Sequence, residues 1–280
     1  MPMDASMEAT VAYSDRPGER PSYRISTDRE EAATEQRRLE MLGALRDRRS
    51  IGVLQEIGVR PGWRCIDVGS GGGSLARWLA AQVGPEGSVL STDIDVRFQP
   101  GSAGNLEVRR HDVVQEELPE NAFDLVHARA VLQTLEQREA VLDKLVRSAK
   151  PGGWIVVGDP DWGPFECQPL PDAFRKLYEA MQAVAIRRHG YDPYWGRRLL
   201  PAFQRRGLLE IDCNGWSPLM RGGTESAEYL VLSYERAAPE LVKAGLLDPA
   251  TVDAGLAAAR REEFLVMGPL SVIVRGRKPG

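Results

Sequence analysis

The sequence predicts an α/β protein built on a doubly wound, mostly parallel sheet, and three observations carry that reading. The apolar run Cys65-Ile66-Asp67-Val68 leads straight into Gly69-Ser70-Gly71-Gly72-Gly73 and then into a helix-forming segment from Ser74. Strand and helix patterns alternate from there to about residue 160. The strands deliver the glycine loop, Asp93, Asp112, Arg129 and Asp159 at their carboxyl ends. With right-handed crossovers these all emerge along one edge of the sheet, where such folds bind ligands.

The glycine loop is the centre of that edge. A turn this bare lets backbone approach a ligand closely and reach positive φ. Ser74 reads as an N-cap, and Leu75, Trp78 and Leu79 fall on one face of the helix it opens. The free N–H groups of a helix start therefore point at whatever lies over the loop. Gly69, Gly71 and Ser74 nearly meet the dinucleotide spacing G-x-G-x-x-G, whereas Asp67, Gly69, Gly71 and Gly73 meet D-x-G-x-G-x-G in full. Asp67 would repel a pyrophosphate and welcome a ligand ammonium.

Of the 280 residues 42% are apolar, enough for a sizeable core, and the net charge of -4 comes from interspersed acids and bases. That balance argues against a nucleic-acid partner, which would want a basic face. Cys65, Cys167 and Cys213 show no disulfide or metal spacing, and no metal is expected. With no apolar leader and no run of 18 apolar residues, the expectation is a soluble cytoplasmic protein away from membranes, monomer or homodimer.

In chain order, residues 1–22 are polar and punctuated, and Tyr13 within them and Tyr23 just after them are aromatics able to fold over a site. Thr27-Asp28-Arg29-Glu30 is a capping box opening a helix to about Arg49, and a second short helix spans Ile51–Ile57. Strands are predicted at Arg64–Val68, Ser88–Thr92, Leu106–Arg110, Phe123–Ala128 and Trp154–Gly158. Helical pieces at Val131–Leu135 and Gln137–Ala149 precede the fifth strand. Phe174, Leu177, Tyr178, Met181, Val184 and Ala185 recur at helical spacing, Gly190–Gly196 is an aromatic turn, and Leu199–Arg206 is a short helix broken or started at Pro201. Leu208–Trp216 reads as the sixth strand, Ser217–Met267 as a helical insertion, and Leu270–Arg275 as a last, antiparallel strand. The sheet thus has seven strands and is Rossmann-like, with a helical cap. Three regions follow: an arm with lid helices (1–58), a ligand-binding core (59–160), and the rest of the sheet with the insertion 217–267 (161–280).

Asp93 ends the second strand 24 residues after Gly69, the place from which an acid accepts hydrogen bonds from both hydroxyls of a ribose. Asp95 either assists or is solvated. Asp112 can take an exocyclic amine, with Val113 offering its N–H.

Taken together, Asp67–Gly73, Asp93, His111-Asp112, Phe123–Arg129 and Pro151-Gly152-Gly153-Trp154 resemble the class I S-adenosylmethionine-dependent methyltransferases, in particular a small-molecule group of bacterial secondary metabolism. The resemblance covers about residues 60–160. It implies S-adenosylmethionine as cofactor, S-adenosylhomocysteine as product, and a small-molecule acceptor. It further implies that Asp67, Gly69, Ser70 and Gly71 hold the methionine part, that Asp93 with Ile94 holds the ribose, that Asp112 and Val113 hold adenine, and that Ala128 or Arg129 flanks the methionine end. Members of this group often carry His after the fourth strand; the segment here is Leu132-Gln133-Thr134-Leu135, so no base transfers to that position.

Remaining candidates for proton transfer are His127, Asp159 and His189, each with a plain structural alternative. His111 reads as flanking adenine or lying on the surface. Tyr23, Trp162, Phe165, Tyr194 and Trp195 are candidates for an apolar acceptor site, where one ring can face a sulfonium. Two rivals stand beside this reading: an NAD-dependent oxidoreductase on the same strand–loop–helix, and a protein that binds S-adenosylmethionine without transferring methyl, such as a cyclase or a regulatory binder.

Overall fold

The computed structural model describes residues 29–280, with side chains from Glu31 onward except those of residues 187–189. Tyr13, Tyr23, Thr27 and Asp28 lie outside the described residues, and nothing is described of the His189 side chain.

The sheet runs in the order β3-β2-β1-β4-β5-β9-β6. Its members are β1 (Arg64–Val68), β2 (Ser88–Asp93), β3 (Leu106–Arg110), β4 (Phe123–Arg129), β5 (Ala149–Asp161), β6 (Leu209–Trp216) and β9 (Leu270–Arg277). β1 to β5 are parallel; β9 is antiparallel to both β5 and β6. The chain order reverses between β1 and β4, which opens a crevice at their carboxyl ends.

Alternation along the central strands divides the core into two layers. Cys65, Leu125, Val156 and Ile273 pack with α1 (Arg29–Glu56) and α2 (Ser74–Val83). Ile66, Val68, Val126, Ile155 and Val157 face the other way, onto α3 (Arg138–Ser148) and α6 (Trp195–Arg205). A further apolar cluster joins the short α4 (Gly163–Glu166) with α5 (Asp172–His189), α7 (Glu225–Lys243) and α8 (Pro249–Arg260).

Several boundaries differ from the sequence reading. α1 is one helix of 28 residues where a break was expected near residue 50. Ser50 and Leu54 have no exposed surface and Val53 very little, so burial carries the helix through Gly52. Gly73, at φ +68°, is the N-cap of α2 and makes no side-chain cap bond; Ser74 is the first helical residue. β5 runs on to Asp161, because β9 continues to offer a ladder after β4 stops at Arg129. Trp195 and Gly196 begin α6 rather than closing a turn. A Cβ on Gly196 would lie 2.8 Å from the Asp159 carbonyl oxygen, so the start of α6 packs on the β5 backbone. The 217–267 insertion holds α7 and α8 as expected, plus a two-stranded pair, β7 (Leu219–Arg221) with β8 (Leu265–Met267). No helix among the described residues is long and apolar enough to cross a membrane.

Candidate active site

The crevice has two walls of different character. On the β1–β2 side, Gly69 sits at φ +66°, and a Cβ there would fall 2.2 Å from Val131 Cγ2. Both the conformation and the space demand glycine. The Gly71 N–H donates to Asp93 Oδ2 at 2.8 Å, and the Asp95 N–H donates to Asp93 Oδ1 at 3.0 Å. Burial pushes the Asp93 carboxyl up, and those two N–H groups pull it back. The Ser70 N–H donates to the Thr92 carbonyl, and Ser91 Oγ lies 2.8 Å from Ser70 Oγ and 2.6 Å from Gln99 Oε1.

Beneath the loop, Asp67 does not reach outward. Its Oδ1 lies 2.7 Å from His127 Nδ1, and both side chains are almost completely buried. Register explains the pair, since Asp67 and His127 are direct partners across β1 and β4. Asp95 is not solvated either: Arg97 forks onto it and holds its carboxyl low. Asp112 Oδ1 accepts from the Val114 N–H at 2.9 Å, which leaves Oδ2 open, and Val113 is buried beside it. His111 is buried rather than on the surface, with Nε2 3.3 Å from the Glu117 carbonyl.

Leu39 of α1 lies over the loop: a Cβ on Gly71 would meet its Cδ2 at 3.2 Å. α1 is fastened beyond that point by Arg129, which donates to Asp47 Oδ1 at 2.8 Å and to Ser50 Oγ at 3.1 Å. Ala128 is wholly buried in the core, so only its backbone faces the crevice, and Ile94 is half-buried after Asp93.

The β4–β5 side is polar and under-bonded. Asp159 is 1% exposed, and neither carboxylate oxygen has a hydrogen-bond partner among the described residues. Burial pushes its carboxyl up to about 8, against the pull of Arg46 and of the Gln133 and Val131 amides facing it. Arg46, on the inner side of α1, makes no hydrogen bond and no ion pair among the described residues, and burial lowers its pKa. Arg46 also lines a cavity of about 20 Å³ with Trp162, Trp216, Met220 and Tyr229. Tyr191 Oη donates to Gln133 Oε1 at 3.2 Å, and burial raises its phenol well above the usual range.

The candidates from sequence divide accordingly. Asp93, Asp112, Ser70 and the glycines share the first wall; Asp159 and Trp162 share the second. Phe165 and Trp195 are buried in core clusters, and Tyr194 Oη donates to Glu166 Oε2 at 2.8 Å. Thr134 is exposed, with its hydroxyl donating to the Val131 carbonyl. Sequence reasoning counted Tyr191 among the aromatics able to shape an apolar pocket, and missed Arg46 and Tyr229. The one available signal was the seven-residue interval from Leu39 to Arg46, which puts both on one face of a helix.

A seven-stranded sheet with one antiparallel strand, β9, between β5 and β6, and an acid at the end of the strand after the glycine loop, defines an α/β protein whose ligand crevice lies at the carboxyl ends of β1 and β4. Residues 66–157 match the family model described as a methyltransferase domain. Over that segment the chain resembles the class I S-adenosylmethionine-dependent methyltransferases. It is 36% identical over 109 residues to a ubiquinone/menaquinone biosynthesis C-methyltransferase of Ectopseudomonas mendocina, covering 36% of this chain and 43% of the relative. It is 29% identical over 153 residues to the methyltransferase str3 of Strobilurus tenacellus, covering 52% and 51%. The chain thus spans about half or less of the length of these curated relatives. Among solved structures, phosphoethanolamine N-methyltransferase 2 of Haemonchus contortus superposes with a TM-score of 0.54 at 17% identity, over 83% of this chain and 53% of that one. The YcgJ protein of Bacillus subtilis gives 0.51 at 12% identity, over 83% and 99%. Both likenesses concern the fold.

Proposed function

We propose that this protein transfers the methyl group of S-adenosylmethionine to a small-molecule acceptor, in the cytoplasm and without nucleic acid or membrane as partner. The observation that carries the reading is the first wall: a positive-φ glycine loop whose Gly71 amide is already bonded to Asp93, with Asp112 next along the same edge. The residues fit an adenosyl group. Asp93 keeps lone pairs for two ribose hydroxyls after accepting two N–H bonds, and Asp112 Oδ2 is open to an amine. Gly69, Ser70 and Gly71 offer backbone to the methionine part, near Ala128 and Arg129. Asp67, bonded to His127, acts on the ligand through the loop it braces.

When bound, the cofactor supplies an activated methyl on a sulfonium. The protein's remaining task is alignment and exclusion of water, effects that together can lower a barrier by roughly 7–11 kcal/mol. Asp159 is the residue we assign to the acceptor's proton: it is buried, unbonded, and poised near neutrality. His127 is committed to Asp67 and is read as structural. Trp162 lines the acceptor side, and α1 with the 217–267 insertion forms the cover.

Calorimetric titration with S-adenosylmethionine, S-adenosylhomocysteine and NADH, on wild type and Asp93→Ala, tests the reading. Micromolar binding of the first two, weakened at least 100-fold in the variant, is the expected result. Binding of NADH alone would overturn it.

A further inference from the structure

The turn that follows β3 is held from behind by a residue of α3. Residues 112–116 make a single helical turn, in which the Gln115 and Glu116 N–H groups both donate to the Asp112 carbonyl. Asp112 caps its start. Oδ1 accepts from the Val114 N–H at 2.9 Å, and the Asp112 N–H donates back to Glu116 Oε1 at 2.8 Å. One turn this short does not hold itself, and its last carbonyls have no helical partners. Lys144 supplies them. Its Nζ donates to the carbonyls of Val113 at 3.2 Å, Val114 at 3.0 Å and Glu116 at 2.9 Å. Those bonds use all three donors of an ammonium. The Lys144 side chain is 11% exposed. The carboxylate beside it, Glu117 Oε1 at 3.3 Å, sits on a side chain that is 71% exposed, where an ion pair is worth little. The carbonyls are therefore the partners that matter.

Two groups of the turn stay unbonded among the described residues: the Val113 N–H and Asp112 Oδ2. They are the donor and the acceptor that the edge of a 6-aminopurine takes. The Val113 side chain lies in the same core cluster as Val141, Leu142 and Leu145, so one helix anchors the side chain and gathers the carbonyls.

We infer that Lys144 is a positioning residue for the base of the cofactor. By drawing three carbonyls onto one point it fixes how the Val113 N–H and Asp112 Oδ2 are presented, and so sets the preference for a 6-amino over a 6-oxo purine. An ammonium suits the task because it is a compact charge with three divergent donors, whereas a guanidinium is a planar fork. The inference rests on the proposed reading of Asp112 and Val113 as the adenine site.

Calorimetry with S-adenosylhomocysteine and S-inosylhomocysteine tests it on wild type, Lys144→Met and Lys144→Arg. The inosine ligand keeps the ribose and the amino acid but turns an acceptor toward Asp112 and a donor toward Val113. Wild type is expected to bind S-adenosylhomocysteine at least about 30-fold tighter. Lys144→Met is expected to weaken S-adenosylhomocysteine about 10- to 30-fold and to leave S-inosylhomocysteine within about twofold, so that the preference collapses. Lys144→Arg keeps the stem and the charge but not the three-way fit, and is expected to lose part of the same preference, so the comparison does not hang on one variant folding. An undiminished preference in either variant overturns the inference. An equal loss on both ligands also overturns it and makes Lys144 a plain structural residue. Equal binding of the two ligands by wild type removes the base site, and the inference with it, while the cofactor reading stands. Binding of neither by wild type overturns the cofactor reading itself.

Discussion

The two walls of the crevice are built by opposite means. On the β1–β2 wall every charged group is answered locally: Asp93 by the amides of Gly71 and Asp95, Asp95 by Arg97, Asp67 by its cross-strand partner His127. On the β4–β5 wall Asp159 and Arg46 come from segments more than 100 residues apart and neither is answered. The first wall is prebuilt for one ligand whose shape never varies. The second stores unsatisfied polarity, which a protein tolerates where a variable ligand completes the bonding.

Removing the stored polarity should have the largest effect. Burial pushes the Asp159 carboxyl of the folded protein up to about 8, against about 3.9 in an unfolded chain. Between those values the folded state holds a proton that the unfolded state has released, so stability falls as pH rises from about 4 to 8 and is level above. Asp159→Asn should therefore be more stable than wild type by roughly 3–5 kcal/mol at pH 8 and little different at pH 4, while losing at least about tenfold in turnover. Thermal melts across that range decide it, and a variant less stable at pH 8 would erase the contrast between the walls. Next in size is Gly69→Ala, where positive φ and a Cβ 2.2 Å from Val131 should cost about 3 kcal/mol and abolish S-adenosylhomocysteine binding. His127→Ala leaves the buried Asp67 carboxylate alone and should cost about 2–3 kcal/mol in urea unfolding; a neutral result would mean that the loop needs no brace. Smallest is Arg129→Met, which loosens α1 from β4: about 1 kcal/mol, with proteolysis within α1 rising before global stability changes.

Legibility followed the same division. The loop, Asp93 and Asp112 were readable because each belongs to a short local pattern whose geometry a single strand–turn–helix fixes. Ser74 misled because a glycine in the left-handed region can cap a helix without any side chain. Arg46 was not readable: within a run rich in arginine it looks like any solvated helix residue, and only the packing of α1 across the crevice turns it inward. Phe165 and Trp195 showed the converse failure, since an aromatic near a site reads the same whether it faces a ligand or the core.

The unbroken α1 has one more consequence. Leu39 touches the glycine loop and Arg46 lines the second wall, seven residues and about 10 Å apart along one rigid rod. A rod cannot lift at one end and stay seated at the other. Whatever displaces Leu39 also moves Arg46, so occupancy of the two walls is thermodynamically linked, and by reciprocity each ligand changes the other's affinity by the same factor. The coupling between the two ligands is thus carried by a single helix.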